Sequence, residues 1–79
     1  MNDEFDRLRD VAWASAAFIK ADDDFESFMR PWHEQRDPKP TNDVYLECGR
    51  LTELRKARRR DLVQALARLA DVNPDILPR

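Results

Sequence analysis

The sequence predicts an all-α fold: two short N-terminal helices, a proline-rich connector and one long C-terminal helix within a single domain, residues 1–79. Three observations predict it. Apolar side chains recur at helical spacing along most of the 79 residues. The single glycine leaves few candidates for the tight turns of β-hairpins. The five prolines lie between residues 31 and 40 and near residue 79, which leaves two long stretches free to form helices.

The first helix is predicted over about residues 3–20. It begins with Asp3, Glu4 and Asp6, carboxylates that suit the unsatisfied amides and positive dipole end of a helix N-terminus. Apolar and small side chains then share one narrow stripe: Phe5, Leu8, Ala12, Ser15, Ala16 and Ile19. Because small residues allow a close approach, we interpret this stripe as a packing seam against another helix of the chain, not as a binding site.

A second, short helix is predicted over about residues 23–30, because the apolar pattern then changes phase. On a continuous helix, the next four large apolar residues would lie opposite the first stripe: Phe25, Phe28, Met29 and Trp32. We therefore expect a break at Asp22, Asp23 and Asp24, a residue type that caps helices and competes for backbone amides. A calcium loop is not expected there, since the glycine turn and the twelfth-position glutamate are missing.

Residues 31–42 contain three prolines and no periodic pattern, so they predict an extended connector. Within this connector, Trp32 would serve as an anchor. His33 has no other ligand type at helical spacing, which favours an exposed or capping histidine over a metal ligand.

The longest helix is predicted over about residues 43–71, with Thr41 or Asn42 as its N-cap. A coherent apolar stripe follows one side of it: Val44, Cys48, Leu51, Leu54, Leu62, Ala65, Leu66 and Leu69. Proline prevents the tail, residues 72–79, from continuing the helix. We expect the Ile76-Leu77 pair in this tail to fold back onto the core.

The formal charge of −2 conceals two oppositely charged parts. Residues 1–49 hold six Lys/Arg and twelve Asp/Glu, a balance of −6, whereas residues 50–79 hold eight Lys/Arg and four Asp/Glu, a balance of +4. Either the two parts attract each other within the fold, or each steers the chain toward a partner of opposite charge.

Five of the cations form what we call the basic belt: Arg55, Lys56, Arg58, Arg59 and Arg60. Arg58 stands where the apolar stripe of the long helix should continue, and a buried, unpaired guanidinium is costly. Three explanations stay open: a helix break near residues 57–61, an internal clamp, or a surface that binds a partner. The clamp would use an acidic counter-patch that consists of Asp22, Asp23, Asp24 and Glu26.

The residue types present do not favour an enzyme. Cys48 lies on the apolar stripe and His33 in the connector, so the sequence offers no nucleophile with a base beside it, no metal set and no cofactor motif. Gly-rich phosphate-binding loops are excluded by the single glycine. The lone cysteine gives no disulfide framework, and no membrane or secretory segment is apparent, so we expect a cytoplasmic protein.

We therefore expect a non-catalytic protein that acts stoichiometrically by binding another macromolecule, as an adaptor, inhibitor or regulator. A protein partner is favoured, and the alternative is a nucleic acid bound through the basic belt. Small acidic, glycine-poor chains are common among accessory proteins of phages and mobile elements, including inhibitors of host defence, which is an association of class and not of motif. A homodimer through the long C-terminal helix is also expected, because two short helices cannot cover so long a stripe.

Overall fold

The computed structural model describes residues 3–34 and 39–76, and in them the chain is a hairpin of two long helices. Helix α1 spans Asp3–Glu34 and helix α2 spans Asn42–Val72, followed by a short 3-10 helix, Pro74–Ile76. The two helices run antiparallel in a body of 55 × 23 × 13 Å, which is a single layer. The predicted all-α class is confirmed, but α1 replaces the two short helices that the sequence predicted.

The predicted break at Asp22, Asp23 and Asp24 is wrong, because α1 runs through all three residues. Two of these carboxylates have ion-pair partners in the helical conformation. Asp22 pairs with Arg55 of α2 at 3.2 Å, and Asp24 pairs with Lys20 one turn earlier at 2.9 Å. An aspartate that is paired in this way no longer competes for the backbone amides of its own helix.

Pro31 lies inside α1, and the helix continues to Glu34. Pro31 has no amide hydrogen to donate to the carbonyl four residues earlier, so α1 lacks that hydrogen bond, and only three helical residues follow Pro31. The predicted connector 31–42 is therefore too long. Residues 31–34 belong to α1, residues 39–41 are not helical, and residues 35–38 lie outside the described residues.

Helix α2 matches its predicted span of 43–71 to within one residue at each end, and it is continuous through residues 57–61. Thr41 is the N-cap residue by its extended backbone (φ −78°, ψ 169°), and its carbonyl accepts from the amide of Tyr45 at 3.1 Å.

At the other end of α2, the Asn73 amide donates to the Leu69 carbonyl at 2.9 Å, and the Asn73 side chain donates to Glu4 at 3.0 Å. The last contact ties the end of α2 to the first turn of α1. The expected Ile76-Leu77 contact involves Leu77, which lies outside the described residues.

The core is one seam between the two helices. At roughly 100° per residue, eight half-buried or buried residues of α1 share one face: Val11, Ala14, Phe18, Ala21, Phe25, Phe28, Met29 and Trp32. The predicted stripe of α2 lies against it. Among the described residues, only four are buried, each 3–6 % exposed: Ala21, Leu51, Ala65 and Leu69. A hairpin one layer thick buries little else.

Gly49 lies on the exposed side of α2, and a Cβ atom added there would meet no atom within 4 Å. Gly49→Ala should therefore raise the free energy of unfolding by about 0.5–1 kcal/mol, because alanine loses less backbone entropy in a helix. Urea unfolding measures the change. Ala67→Gly, at another exposed position of α2, is the matched control and should lower stability by a similar amount. A destabilised Gly49→Ala variant would show that this side of α2 is not open.

Candidate interaction surfaces

One side of α1 carries apolar residues that α2 does not cover, and we call it the outer face: Phe5, Leu8, Ala12, Ala16 and Ile19. All five are exposed, with Phe5 at 63 % and Ile19 at 57 %. They belong to the stripe that was interpreted from the sequence as a packing seam, and that interpretation is wrong for these five residues, because α2 does not pack on them. Only Ser15 of that stripe is half-buried.

The reason lies in the continuity of α1. Since no break rotates the second half relative to the first, both apolar patterns lie on opposite sides of one helix, and α2 can cover only one of them. It covers the side that carries Phe18, Phe25 and Phe28, which offers the larger apolar area.

The outer face contains a shallow apolar notch of about 320 Å³ lined by Ala12, Trp13 and Ala16. Trp13 is 74 % exposed, the most exposed large hydrophobic side chain among the described residues. Trp13 falls outside the apolar stripe of its helix, so the periodicity of the sequence did not single it out. Its exposure becomes evident only once the position of α2 is known.

Trp13 also borders an open groove of about 420 Å³ that runs between the helices. Besides Trp13, both helices contribute to the groove: Asp10, Ala14 and Ala17 from α1, and Asp61, Gln64, Ala65 and Arg68 from α2. Asp10 and Arg68 have no ion pair within the described part of the chain. An exposed indole with a free carboxylate and a free guanidinium nearby suits contact with another protein.

The apolar part of the outer face ends after Ile19. Farther along the same side, α1 presents Asp23, Glu26 and Arg30, all exposed. The apolar segment from Phe5 to Ile19 is therefore roughly 21 Å long at 1.5 Å per residue, long enough for about four turns of a second helix.

Arg55 of the basic belt is used inside the hairpin. Its guanidinium lies 3.2 Å from Asp22 and 3.9 Å from Glu26, and it stacks over the ring of Phe25 at 4.0 Å. These partners all belong to α1, so Arg55 clamps the two helices together. The Arg55 side chain is 32 % exposed, which leaves its charge partly hydrated.

The other four belt residues make no ion pair with α1 in the described residues. Lys56 pairs with Glu53 at 3.6 Å and Arg58 with Asp61 at 3.2 Å, both within α2. Arg59 and Arg60 are exposed and have no ion pair there. At roughly 100° per residue, the five cations spread over an arc of about 200° around α2, which is wider than one face of a helix.

The acidic counter-patch is likewise divided. Asp22 and Glu26 face Arg55, Asp24 pairs with Lys20, and Asp23 is exposed with no ion pair in the described part. Its residues thus contribute one clamp between the helices and one pair within α1. They do not gather into a separate acidic surface.

Cys48 and His33 lie in different environments. Cys48 is half-buried on α2 and its carbonyl accepts from the Thr52 hydroxyl at 2.7 Å, whereas His33 is exposed in the last turn of α1. Across residues 3–34 and 39–76, no three metal-ligating side chains come together.

Comparison with known proteins finds no family model, no curated relative and no solved structure that matches the chain. In the described residues, neither helix has a stretch that is both long and apolar enough to cross a lipid bilayer. The surfaces described above therefore carry the functional inference.

Arg55→Ala should lower the free energy of unfolding by about 1 kcal/mol, because it removes a partly exposed ion pair and a cation–π contact. Arg59→Ala is the control and should change stability by less than about 0.5 kcal/mol, since its side chain has no ion pair in the described residues. Chemical unfolding of both variants measures the difference. Equal losses in the two variants would mean that Arg55 does not act as a clamp.

Arg50 forms an exposed pair with Glu47 by donating from Nε to both carboxylate oxygens at 3.1 Å. This hydrogen bond, with the positive charge of Arg50, lowers the pKa of Glu47 below its ordinary value of 4.5. The pair therefore stabilises the fold above pH 4.5, and this contribution is lost as the pH falls through the lowered pKa.

Arg50→Gln should accordingly raise the pKa of Glu47 toward 4.5 and reduce the pH dependence of stability in the acid range. Carboxyl-carbon NMR titration measures the first effect and unfolding at several pH values the second. Arg59→Gln serves as the control and should leave the pKa of Glu47 unchanged. An unshifted Glu47 in Arg50→Gln would contradict the assignment of the pair.

Proposed function

We propose that this protein is a non-catalytic helical hairpin that acts stoichiometrically by binding another protein, as an adaptor, inhibitor or regulator in the cytoplasm. The observation that supports it is the outer face of α1 with Trp13 at its edge. Exposed large apolar residues that form a contiguous patch are uncommon on proteins that act alone and typically mark interaction sites. Inhibition of a host-defence protein is one form that such stoichiometric binding takes.

The partner segment that fits this face is an amphipathic helix. Ala12 and Ala16 lie at the centre of the face, so a second helix can approach α1 closely. Leu8 and Ile19 stand on either side of them, and the notch beside Trp13 can receive a side chain of the partner. A partner helix with apolar residues at three- and four-residue spacing would fill these positions.

Trp13 should contribute the most to the binding energy. Buried tryptophan and arginine side chains dominate many protein interfaces, and an indole that is 74 % exposed has most of its apolar area still to bury. Asp10 and Arg68, in the adjoining groove, would form the polar rim of such an interface.

A nucleic acid bound through the basic belt is the alternative, and it has less support. Three of the five cations are already paired with carboxylates of the chain, and the remaining two, Arg59 and Arg60, are a small electrostatic footprint in a chain of net charge −2. A protein partner remains the proposal.

If the partner binds the outer face, a substitution in that face should abolish binding, whereas the same substitution elsewhere should not. In a pull-down from source cells with mass-spectrometric identification, wild type should retain a partner that Ala12→Glu loses, because a buried, unpaired carboxylate would disrupt a helix–helix contact. Ala67→Glu is the matched control, since it makes the same change at an exposed alanine of α2, and it should retain the partner.

A different pattern of partner loss among the variants would show that the outer face is not the binding site. If Ala12→Glu retained the partner while the triple change Arg58→Glu, Arg59→Glu and Arg60→Glu lost it, the basic belt would be the binding surface. Titration with duplex and single-stranded DNA at two salt concentrations completes the comparison. Micromolar affinity that falls steeply with salt and disappears in the triple variant would favour the nucleic-acid function.

A further inference from the structure

We propose that a second copy of this chain occupies the outer face of α1, antiparallel to the first, with the two-fold axis beside Ala12. This inference deepens the proposed function and rests on it, because it names a helix that fits the same face. The homodimer expected from the sequence used α2 instead. The reason for that expectation no longer applies, since α1, with 32 residues, is long enough to cover the stripe of the 31-residue α2.

The hairpin by itself has a thin core. Four buried residues among those described are few to offset the conformational entropy of two helices of this length. Meanwhile Phe5, Leu8 and Ile19 remain largely in water on the side away from α2. If a second hairpin covers them, α1 packs against other helices on both of its apolar sides, and the dimer is a bundle of four helices.

The spacing of the outer face is self-complementary. In an antiparallel contact about a two-fold axis, residue i of one copy meets residue j of the other when i + j is constant. With the axis at Ala12, Phe5 meets Ile19 of the second copy, Leu8 meets Ala16, and Ala12 meets Ala12. All five outer-face residues then contact outer-face residues of the second copy, and the small Ala16 makes room for Leu8.

A shift by one helical turn toward Ala14 destroys this match. Moving the axis toward Ala14 would place Phe5 opposite Asp23, Leu8 opposite Lys20 and Ile19 opposite Arg9. Each of these pairs would set an apolar side chain against a charged one, which costs free energy in a desolvated contact. The register with its axis at Ala12 is therefore preferred over the register with its axis at Ala14.

The charges select the antiparallel direction. A parallel dimer would bring together the first turns of both copies, each with Asp3, Glu4 and Asp6, so that six carboxylates repel one another. The antiparallel register instead separates the two acidic turns and places each near Lys20 and Asp23 of the second copy. It also opposes the two helix dipoles, a favourable arrangement.

The area available suits a reversible dimer. Burying the exposed parts of Phe5, Trp13, Leu8 and Ile19 in both copies amounts to an area on the order of 1,000 Å², the lower end for specific complexes. We therefore expect the dimer to dissociate on dilution. The same face would then become free for a partner protein, so the two associations compete.

Sedimentation equilibrium over a wide concentration range tests the proposal. Wild type and Ala67→Glu should approach twice the chain mass of 9.3 kDa at high concentration, whereas Ala12→Glu should stay at the single mass or need at least tenfold more protein to dimerise. A wild type that stays at the single mass at about 0.5 mM would overturn the proposal. So would a dimer that Ala12→Glu leaves intact, because it would use another face.

Cross-linking decides the outcome if Ala12→Glu fails to fold. In a Cys48→Ala background, Ala12→Cys should form a disulfide between two copies under mild oxidation, since residue 12 meets itself only at a two-fold axis. Ser27→Cys, exposed on α1 beyond the apolar segment, is the control and should form little. Failure of Ala12→Cys to cross-link, or equal cross-linking of both variants, would overturn the register.

The two proposals can fail separately. If the wild-type chain stays monomeric, and Ala12→Glu still abolishes binding of the protein partner, the dimer is refuted and the proposed function stands. A dimer sensitive to Ala12→Glu, with no protein partner that depends on Ala12, would support the dimer and count against the function.

Discussion

The seam between α1 and α2 is the contact on which the rest of the structure depends. Two antiparallel helices meet along one line, and the buried residues among those described all lie on it: Ala21, Leu51, Ala65 and Leu69. Because a helix has several sides and a hairpin partner covers only one, the remaining sides stay in water. The shallow notch and the open groove near Trp13 follow from this geometry, since a body 13 Å thick cannot enclose a deep cavity.

The opposite charges of the two parts of the chain are used partly within the fold. Arg55 lies between Asp22 and Glu26 and stacks on Phe25, so one cation of the basic belt holds both helices and satisfies two carboxylates. Asp22 makes this contact from within the continuous helix α1. Pairs of this kind add little energy each when partly exposed, but they select the register in which the apolar stripes meet.

Helix α1 has two apolar sides, and α2 covers only one of them. We infer the function from the uncovered side, the outer face. The outer face has the dimensions and small central residues of a helix-packing surface and no feature of a reaction centre. Self-association and binding of a partner protein would use the same side chains. The concentration of the chain relative to the dissociation constant of its dimer would then set how much of the face is available.

The amino-acid sequence predicts the helical class, the bounds of α2 and the stripe of α2 that forms the seam, since these depend on local propensity and periodicity alone. It also showed that the pattern of α1 changes phase after Ile19. Whether that change meant a break or two opposed faces depended on Asp22, whose helical conformation is supported by Arg55, 33 residues away. Only the tertiary structure could decide it, because an ion pair between distant residues leaves no mark in local periodicity. The exposure of Trp13 and the role of the outer face were hidden for the same reason: which side of a helix is covered is settled by where its neighbour packs.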